Sequence, residues 1–429
     1  MTALALPLHP AAASIAIPRS ATHKLALALV WLTIASGAVV FSEPAPFDVL
    51  TMGLVVLLPA IGLVAIPPAL TGLLALLLVA AAAAVVAATN AVEIGPAAIH
   101  TGVSLYLYVA TFLFAAFVAK RPDAHTRLIL NAYTWAAVAA AAGGIAGTFD
   151  LAPGAHELMT LWGRATGLFK DPNVFGPFLV PALVYALSRL AGSPIRKALV
   201  PLGVLLIAGL AILLSFSRGA WLNLGAAVAI YGALHLMTAR QNRVLLKLAA
   251  LGILAVAAAS AVVLVALQLD GVANLFGERA ALTQSYDEGP EGRFGGQEKA
   301  ARLIVEHPMG IGAQQFAPHH HHEEPHNVYL AMLLNAGWLG GLIFLGLIGS
   351  TGVLGLRHAL VRGAAQPLFL VVYACFVANA VEGAIIDIDH WRHFYLLVAM
   401  VWGLMLGRDG GSDPLPLSYL RRTRGCMGV

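Results

Sequence analysis

Arg218, Arg293 and His326 stand out in this sequence because nearly everything around them is Ala, Leu, Val and Gly. A guanidinium is a permanently charged planar fork that matches phosphate oxygens, so several arginines at one membrane surface would receive a diphosphate headgroup. Arg218 sits in the tight turn Ser217-Arg218-Gly219, and Arg293 opens the run RFGGQEKAARLIVEHPMGIG. His326 lies directly before an apolar stretch, followed by Asn327 and Tyr329, so a rigid helix end is expected to hold it. A neutral imidazole there could take a proton from a sugar hydroxyl. A second basic group, Arg164 and Lys170 with Asp171, precedes another apolar stretch. Asp387, Asp389, His390 and Arg392 fall together in the short turn DIDHWRH.

Position alone leaves plainer readings open. Arg218 at a helix end also fits a side chain reaching lipid phosphate, and Arg164 and Lys170 equally suit interfacial anchors. Gly310 and Gly312 read as a turn sooner than as a phosphate cradle. Gly337, Gly340 and Gly341 read as places where helices approach closely. The run His319 to His322, with Glu323 and Glu324, invites a metal. Adjacent histidines on an extended loop point in different directions, so a solvated, pH-sensitive loop is the expectation and no metal or cofactor is assigned.

The elements that position these residues are membrane helices. Hydrophobic residues make up 59% of the chain and charged residues 11%, against roughly a quarter charged in soluble domains. A bilayer core of about 30 Å needs about 20 apolar residues per helix. On that basis there are about twelve spans, near 25–41, 48–66, 69–88, 103–119, 128–148, 174–190, 198–216, 220–238, 248–268, 327–356, 366–386 and 393–407. The fold class is all-α, one polytopic membrane domain over 1–429. Spans two and three, joined at Pro67-Pro68, are expected to form a tight hairpin. The tenth is long enough that a straight helix would tilt strongly or project into water.

Basic residues set the orientation. Lys120, Arg121 and Arg127, then Arg189, Arg196 and Lys197, then Arg240, Arg243 and Lys247, fall in alternate connections. Arg357, Arg362, Arg408, Arg421, Arg422 and Arg424 continue the series, with Arg19 and Lys24 ahead of the first span. The positive-inside rule makes that side cytoplasmic, including the tail 408–429. The long loop 269–325, the loop 149–173 and the turn at 387–393 then face the periplasm. The net charge of +4 is topological, and no nucleic-acid partner is expected. The first span lacks an A-x-A-like site after it and is expected to remain as an anchor. Cys375 lies in a span and Cys426 in the tail, so no disulfide is expected.

Three patches taken together resemble the O-antigen ligase and O-antigen polymerase superfamily of bacterial cell-surface glycan enzymes. They are GRATGLFKDPNVFG at 163–176, LLSFSRGAWL at 213–222, and the segment from Arg293 through Pro308-Met309-Gly310-Ile311-Gly312 and His326-Asn327 to Gly337-Trp338-Leu339-Gly340. The sharp motifs lie within 163–344. The resemblance implies a membrane-embedded, metal-independent glycosyltransferase of the all-helical type. Its donor would be a glycan on undecaprenyl diphosphate, its acceptor lipid A–core or another glycan, and its home the inner membrane with a periplasmic active site. It implies that Arg218 and Arg293 neutralise the diphosphate leaving group and that His326 orients or deprotonates the acceptor hydroxyl, with inversion. Arg164, Lys170, Asn327, Asp389 and Arg392 are placed around the substrates. The four-histidine run is not part of the family pattern.

Ligases and polymerases share these motifs, so a polymerase of O-antigen or exopolysaccharide repeats is the alternative. A transporter or flippase of lipid-linked glycans is a reading of another class. It would place charges at mid-bilayer, where this sequence offers only Glu382.

Overall fold

The computed structural model describes residues 21–192, 197–238 and 289–407. Its helices are α1 (Ala21–Ser36), α2 (Pro46–Ala60), α3 (Pro68–Ala88), α4 (Ile94–Lys120), α5 (Pro122–Thr148), α6 (Ala155–Met159), α7 (Pro172–Gly192), α8 (Leu199–Leu214) and α9 (Arg218–Thr238). They continue with α10 (Arg293–Glu306), α11 (Phe316–His319), α12 (Val328–Asn335), α13 (Gly337–Ala359), α14 (Gln366–Glu382) and α15 (Arg392–Leu406). The one sheet among the described residues is a small antiparallel hairpin, β1 (Thr160–Leu161) with β2 (Arg164–Ala165). The expected ninth span at 248–268, the loop portion 269–288 with Arg279, the tail 408–429, and Arg19, Arg196, Arg240, Arg243 and Lys247 lie outside the described residues.

Six helices, α3, α4, α5, α7, α9 and α13, are long and apolar enough to cross a membrane; α1, α2, α8, α14 and α15 are shorter and apolar. The chain is an all-α integral membrane protein, and packing explains which helices are central. α14 and α15 are buried on nearly every side, from Leu368 to Ala380 and from His393 to Val401. A helix that is apolar all round needs such an enclosure. α3 and α13, by contrast, bury only a third of their apolar windows, leaving residues such as Leu78, Val85, Leu339 and Leu342 exposed. An apolar surface of that extent is stable against lipid tails and unfavourable in water. Pro122 ends α4 and opens α5, because it lacks an N–H to continue a helix yet suits a first turn.

Two expectations are corrected. α2 and α3 do not pair as a hairpin: residues 61–67 separate them, α2 packs on α1 and α4, and α3 packs on α4 and α13. Pro67 and Pro68 serve instead as the cap and first residue of α3. The tenth span is not one straight helix. It breaks between Asn335 and Gly337, where Gly337 adopts a left-handed φ of 65°.

The break has a partner. The Pro308–Gly312 turn lies against it, with Trp338 N donating to Pro308 O at 2.9 Å and Ile311 N donating to Leu334 O at 2.9 Å. These are the groups that a helix end leaves without intrahelical partners. A Cβ on Gly337 would meet Met309 C at 2.7 Å, and one on Gly310 would meet Gly337 N at 2.7 Å. The two glycine motifs are therefore halves of one interlock. The Trp338 indole N–H, donating to Ile304 O at 2.7 Å, adds α10 to it.

α4 and α15 both start at one end of the bundle, where His100 meets Asp389, and finish at the other, where Gly407 packs on Ala119 and Pro122. The candidate polar residues gather at the first end. Lys120 and Arg121 mark the second.

Candidate active site

His326 is held by its main chain. The Asp387 carboxylate accepts from His326 N at 3.2 Å and from Asn327 N at 3.0 Å. Val328 N donates to Gly383 O at 2.9 Å. The turn at His326 has a left-handed φ of 49°, an uncommon setting for a side-chain residue and one that needs surrounding contacts to persist. Asn327 Oδ1 accepts from Tyr329 N and Leu330 N and so caps α12. Asn327, placed around the substrates by the resemblance, thus has a positioning role in this fold.

The half-buried His326 ring lies 3.3 Å from Glu323 Oε2 through Nε2 and 4.0 Å from Asp387 Oδ2 through Nδ1. Burial and the positive charge of Arg293 hold its pKa below the ordinary imidazole value, with Glu323 and Asp171 acting in the opposite direction. The imidazole is therefore neutral at pH 7 and able to accept a proton. Burial, with the charges of Asp389 and Glu324, pushes the Asp387 carboxyl up to about 7 despite its two N–H partners.

That electrostatic coupling puts Arg293 in the neighbourhood of His326. Arg293 opens α10, whose inner face (Ala300, Leu303, Ile304) forms a small core with Ile311, Phe316 and Leu334. Gly296 on the same helix rests against the His321 ring, where a Cβ would stand 3.1 Å from Cε1. The polar helix is thereby packed onto the interlock rather than left in solvent.

Arg218 opens α9 after a sharp turn at Phe216, φ 46°. Ser215 Oγ accepts from Ser217 N, and Ser217 Oγ accepts from Ala220 N, so two serines hold the turn. Gly219 lets Glu382 approach closely: a Cβ there would stand 2.7 Å from Oε1. The other carboxylate oxygen of Glu382 accepts from Asn223 Nδ2 at 2.5 Å. Glu382 ends α14, and the next residue, Gly383, receives Val328 N. The start of α9 is thus tied through Glu382 and Gly383 to the segment that carries His326. Glu382 sits at a helix end with a partner on α9, not at the middle of a span.

Arg164, on β2, reaches the turn before α9. It is buried, with Nε donating to Ser215 O at 2.9 Å and NH2 to Asn173 Oδ1 at 2.8 Å. It joins the first family patch to the second and braces the turn before Arg218. Lys170 pairs loosely with Glu43 at 3.8 Å, both exposed. Asp171 caps α7 through Asn173 N at 2.7 Å. Arg392 forms a two-pronged pair with Asp48, Nε to Oδ1 and NH2 to Oδ2 both at 2.7 Å, both side chains largely shielded. Its fork fastens α15 to α2. Asp389 faces His100 at 3.4 Å.

The histidine run does diverge. His319 approaches Glu93 and His322 approaches Glu291, each at 3.8 Å, while His321 stacks on Phe316. Only His321 and His322, with Glu291, bring donor atoms within 4.8 Å of one another. The reading from sequence overlooked His100, Glu323 as the partner of His326, and Asp48 as the partner of Arg392. A histidine inside an apolar span was the available signal for His100. For Glu323 the signal was its place three residues before His326, and nothing local marks Asp48.

Comparison with protein families adds an independent finding. Residues 203–345 match the family described as O-Antigen ligase, an interval that takes in Arg218, Arg293, His326 and the glycine interlock. No curated protein matches the chain. The match covers a third of the chain, and over that interval this multi-pass membrane protein is similar to the O-antigen ligase family.

Proposed function

We propose that this protein is a glycosyltransferase that moves a glycan from undecaprenyl diphosphate to an acceptor hydroxyl, lipid A–core or a similar glycan, at the periplasmic face of the inner membrane. In this reading the chain has about twelve spans, with 269–325 as its large periplasmic loop, 163–344 as its ligase core and 408–429 as its cytoplasmic tail. The observation that carries the proposal is a neutral, main-chain-anchored His326 within the electrostatic reach of Arg293.

His326 accepts the proton of the acceptor hydroxyl as its oxygen bonds to the anomeric carbon. The bond from that carbon to the phosphate oxygen breaks, and undecaprenyl diphosphate departs with the electron pair. Arg293 and Arg218 stabilise the charge that develops on it, in a site partly shielded from water. Attack opposite the leaving group inverts the anomeric centre. No metal enters this scheme. Arg164 and Asn327 act by holding the elements that present Arg218 and His326. Lys170 borders the substrates.

The test is incubation of the purified protein with lipid-linked glycan and candidate acceptors, with products identified by mass spectrometry. A glycan–acceptor conjugate that requires both Arg293 and His326 is expected. Chains of repeats on undecaprenyl diphosphate would make the protein a polymerase. Movement of labelled lipid-linked glycan across liposomes without any transfer product would refute the glycosyltransferase reading.

A further inference from the structure

We propose that His100, Asp389 and His390 form a binding site for a divalent transition-metal ion of the zinc class, where α4 meets the turn between α14 and α15. Their donor atoms all lie within 4.8 Å of one another. His100 Nε2 stands 3.4 Å from Asp389 Oδ2. Ligands about 2.0–2.1 Å from a tetrahedral zinc are spaced about 3.3–3.4 Å apart, so this pair already has the edge length of such a site. Two imidazoles and a carboxylate are a usual donor set for zinc.

The surroundings fit an ion as well. Ser104 Oγ, which donates to His100 O at 3.2 Å, also bonds His390 Nε2 at 3.0 Å. A partner of this kind orients a ligating ring. The His100 and His390 rings stack at 3.7 Å, an arrangement in which two protonated imidazoles would repel. Glu324 interacts with both Asp389 and His100, and Asp387 with both Asp389 and Glu324. Three carboxylates therefore converge around the cluster, while the nearby Arg392 fork is taken by Asp48. A doubly charged ion would offset that excess. Its effect would be mechanical: it would fasten to α4 the turn whose Asp387 holds the main chain of His326. It would take no part in transfer.

The test uses the full chain in detergent after dialysis against a chelator. Titration with Zn2+ is expected to fill a single equivalent and raise the thermal midpoint. His100→Ala and His390→Ala should each lose both effects, and His322→Ala should keep them. With Co2+ as the probe, His390→Cys should give a thiolate-to-cobalt absorption band, which arises only if position 390 is a ligand. This readout stands even if the alanine variants fold poorly. Absence of an equivalent in the wild type, its loss in His322→Ala, or a His390→Cys protein that binds Co2+ without the band would each overturn the proposal. The readouts are independent of glycan transfer.

Discussion

The Asp48–Arg392 seam and the His326 corner lie at the same end of the bundle, and each sets a carboxylate beside a basic side chain. At the seam each carboxylate oxygen accepts from one of two guanidinium nitrogens, Nε and Nη2, at 2.7 Å, and the pair is shielded. At the corner the Asp387 oxygens are given to backbone N–H groups, and the imidazole stands 4.0 Å away. The first arrangement is complete and can only hold helices together. The second anchors a backbone and leaves the ring with unfilled capacity for a proton. Charge count does not distinguish the two arrangements; saturation of the donors and acceptors does.

The comparison breaks most readily at the corner. His326→Ala and Arg293→Ala should each reduce glycan transfer by at least about 100-fold with membrane insertion unchanged, read as product by mass spectrometry. Wild-type product in either variant removes that residue from the mechanism. The seam should behave oppositely. Arg392→Ala strands a shielded carboxylate and is expected to cost roughly 3–5 kcal/mol of stability, seen as a lowered thermal midpoint in detergent. Asp48→Asn combined with Arg392→Met should recover most of that loss, and failure to recover would mean that Arg392 does more than pair.

Gly337→Ala tests the interlock that holds α10 and α12 behind the corner. A left-handed φ and a Cβ 2.7 Å from Met309 C predict a loss of at least about 1–3 kcal/mol, again as a thermal shift. The smallest effect is the most diagnostic of the corner. Glu323 favours the charged imidazole and so raises the His326 pKa. Glu323→Gln should let that pKa fall further, so the base stays unprotonated to lower pH. The acid limb of the rate–pH profile should then move to lower pH. A limb that moves upward or stays put would show that His326 is not the group being titrated.

Isolated charge in an apolar chain makes Arg218, Arg293 and His326 conspicuous in sequence, and motif order placed Arg293 and His326 near the same apolar stretch, where the structure sets Arg293 within electrostatic reach of His326. Arg392 was misleading: it shares a turn with Asp387 and Asp389, yet its partner lies on α2 near the start of the chain. The break in the tenth span was hidden because glycines in an apolar run also serve close helix packing. Asn335 and Gly337 were the available stop signals, outweighed by the continuous hydrophobicity on either side.

Composition and spacing alone determined that this is a helical membrane protein with its polar chemistry drawn to a few connections, since transfer of apolar side chains and peptide groups into lipid leaves few other solutions. Only the tertiary structure decided which cations are committed and which flank the imidazole. Hydrogen-bond saturation depends on partners far apart in sequence, such as Asn223 with Glu382, 159 residues away, and Asp48 with Arg392, 344 residues away. No local pattern encodes a distance of that kind.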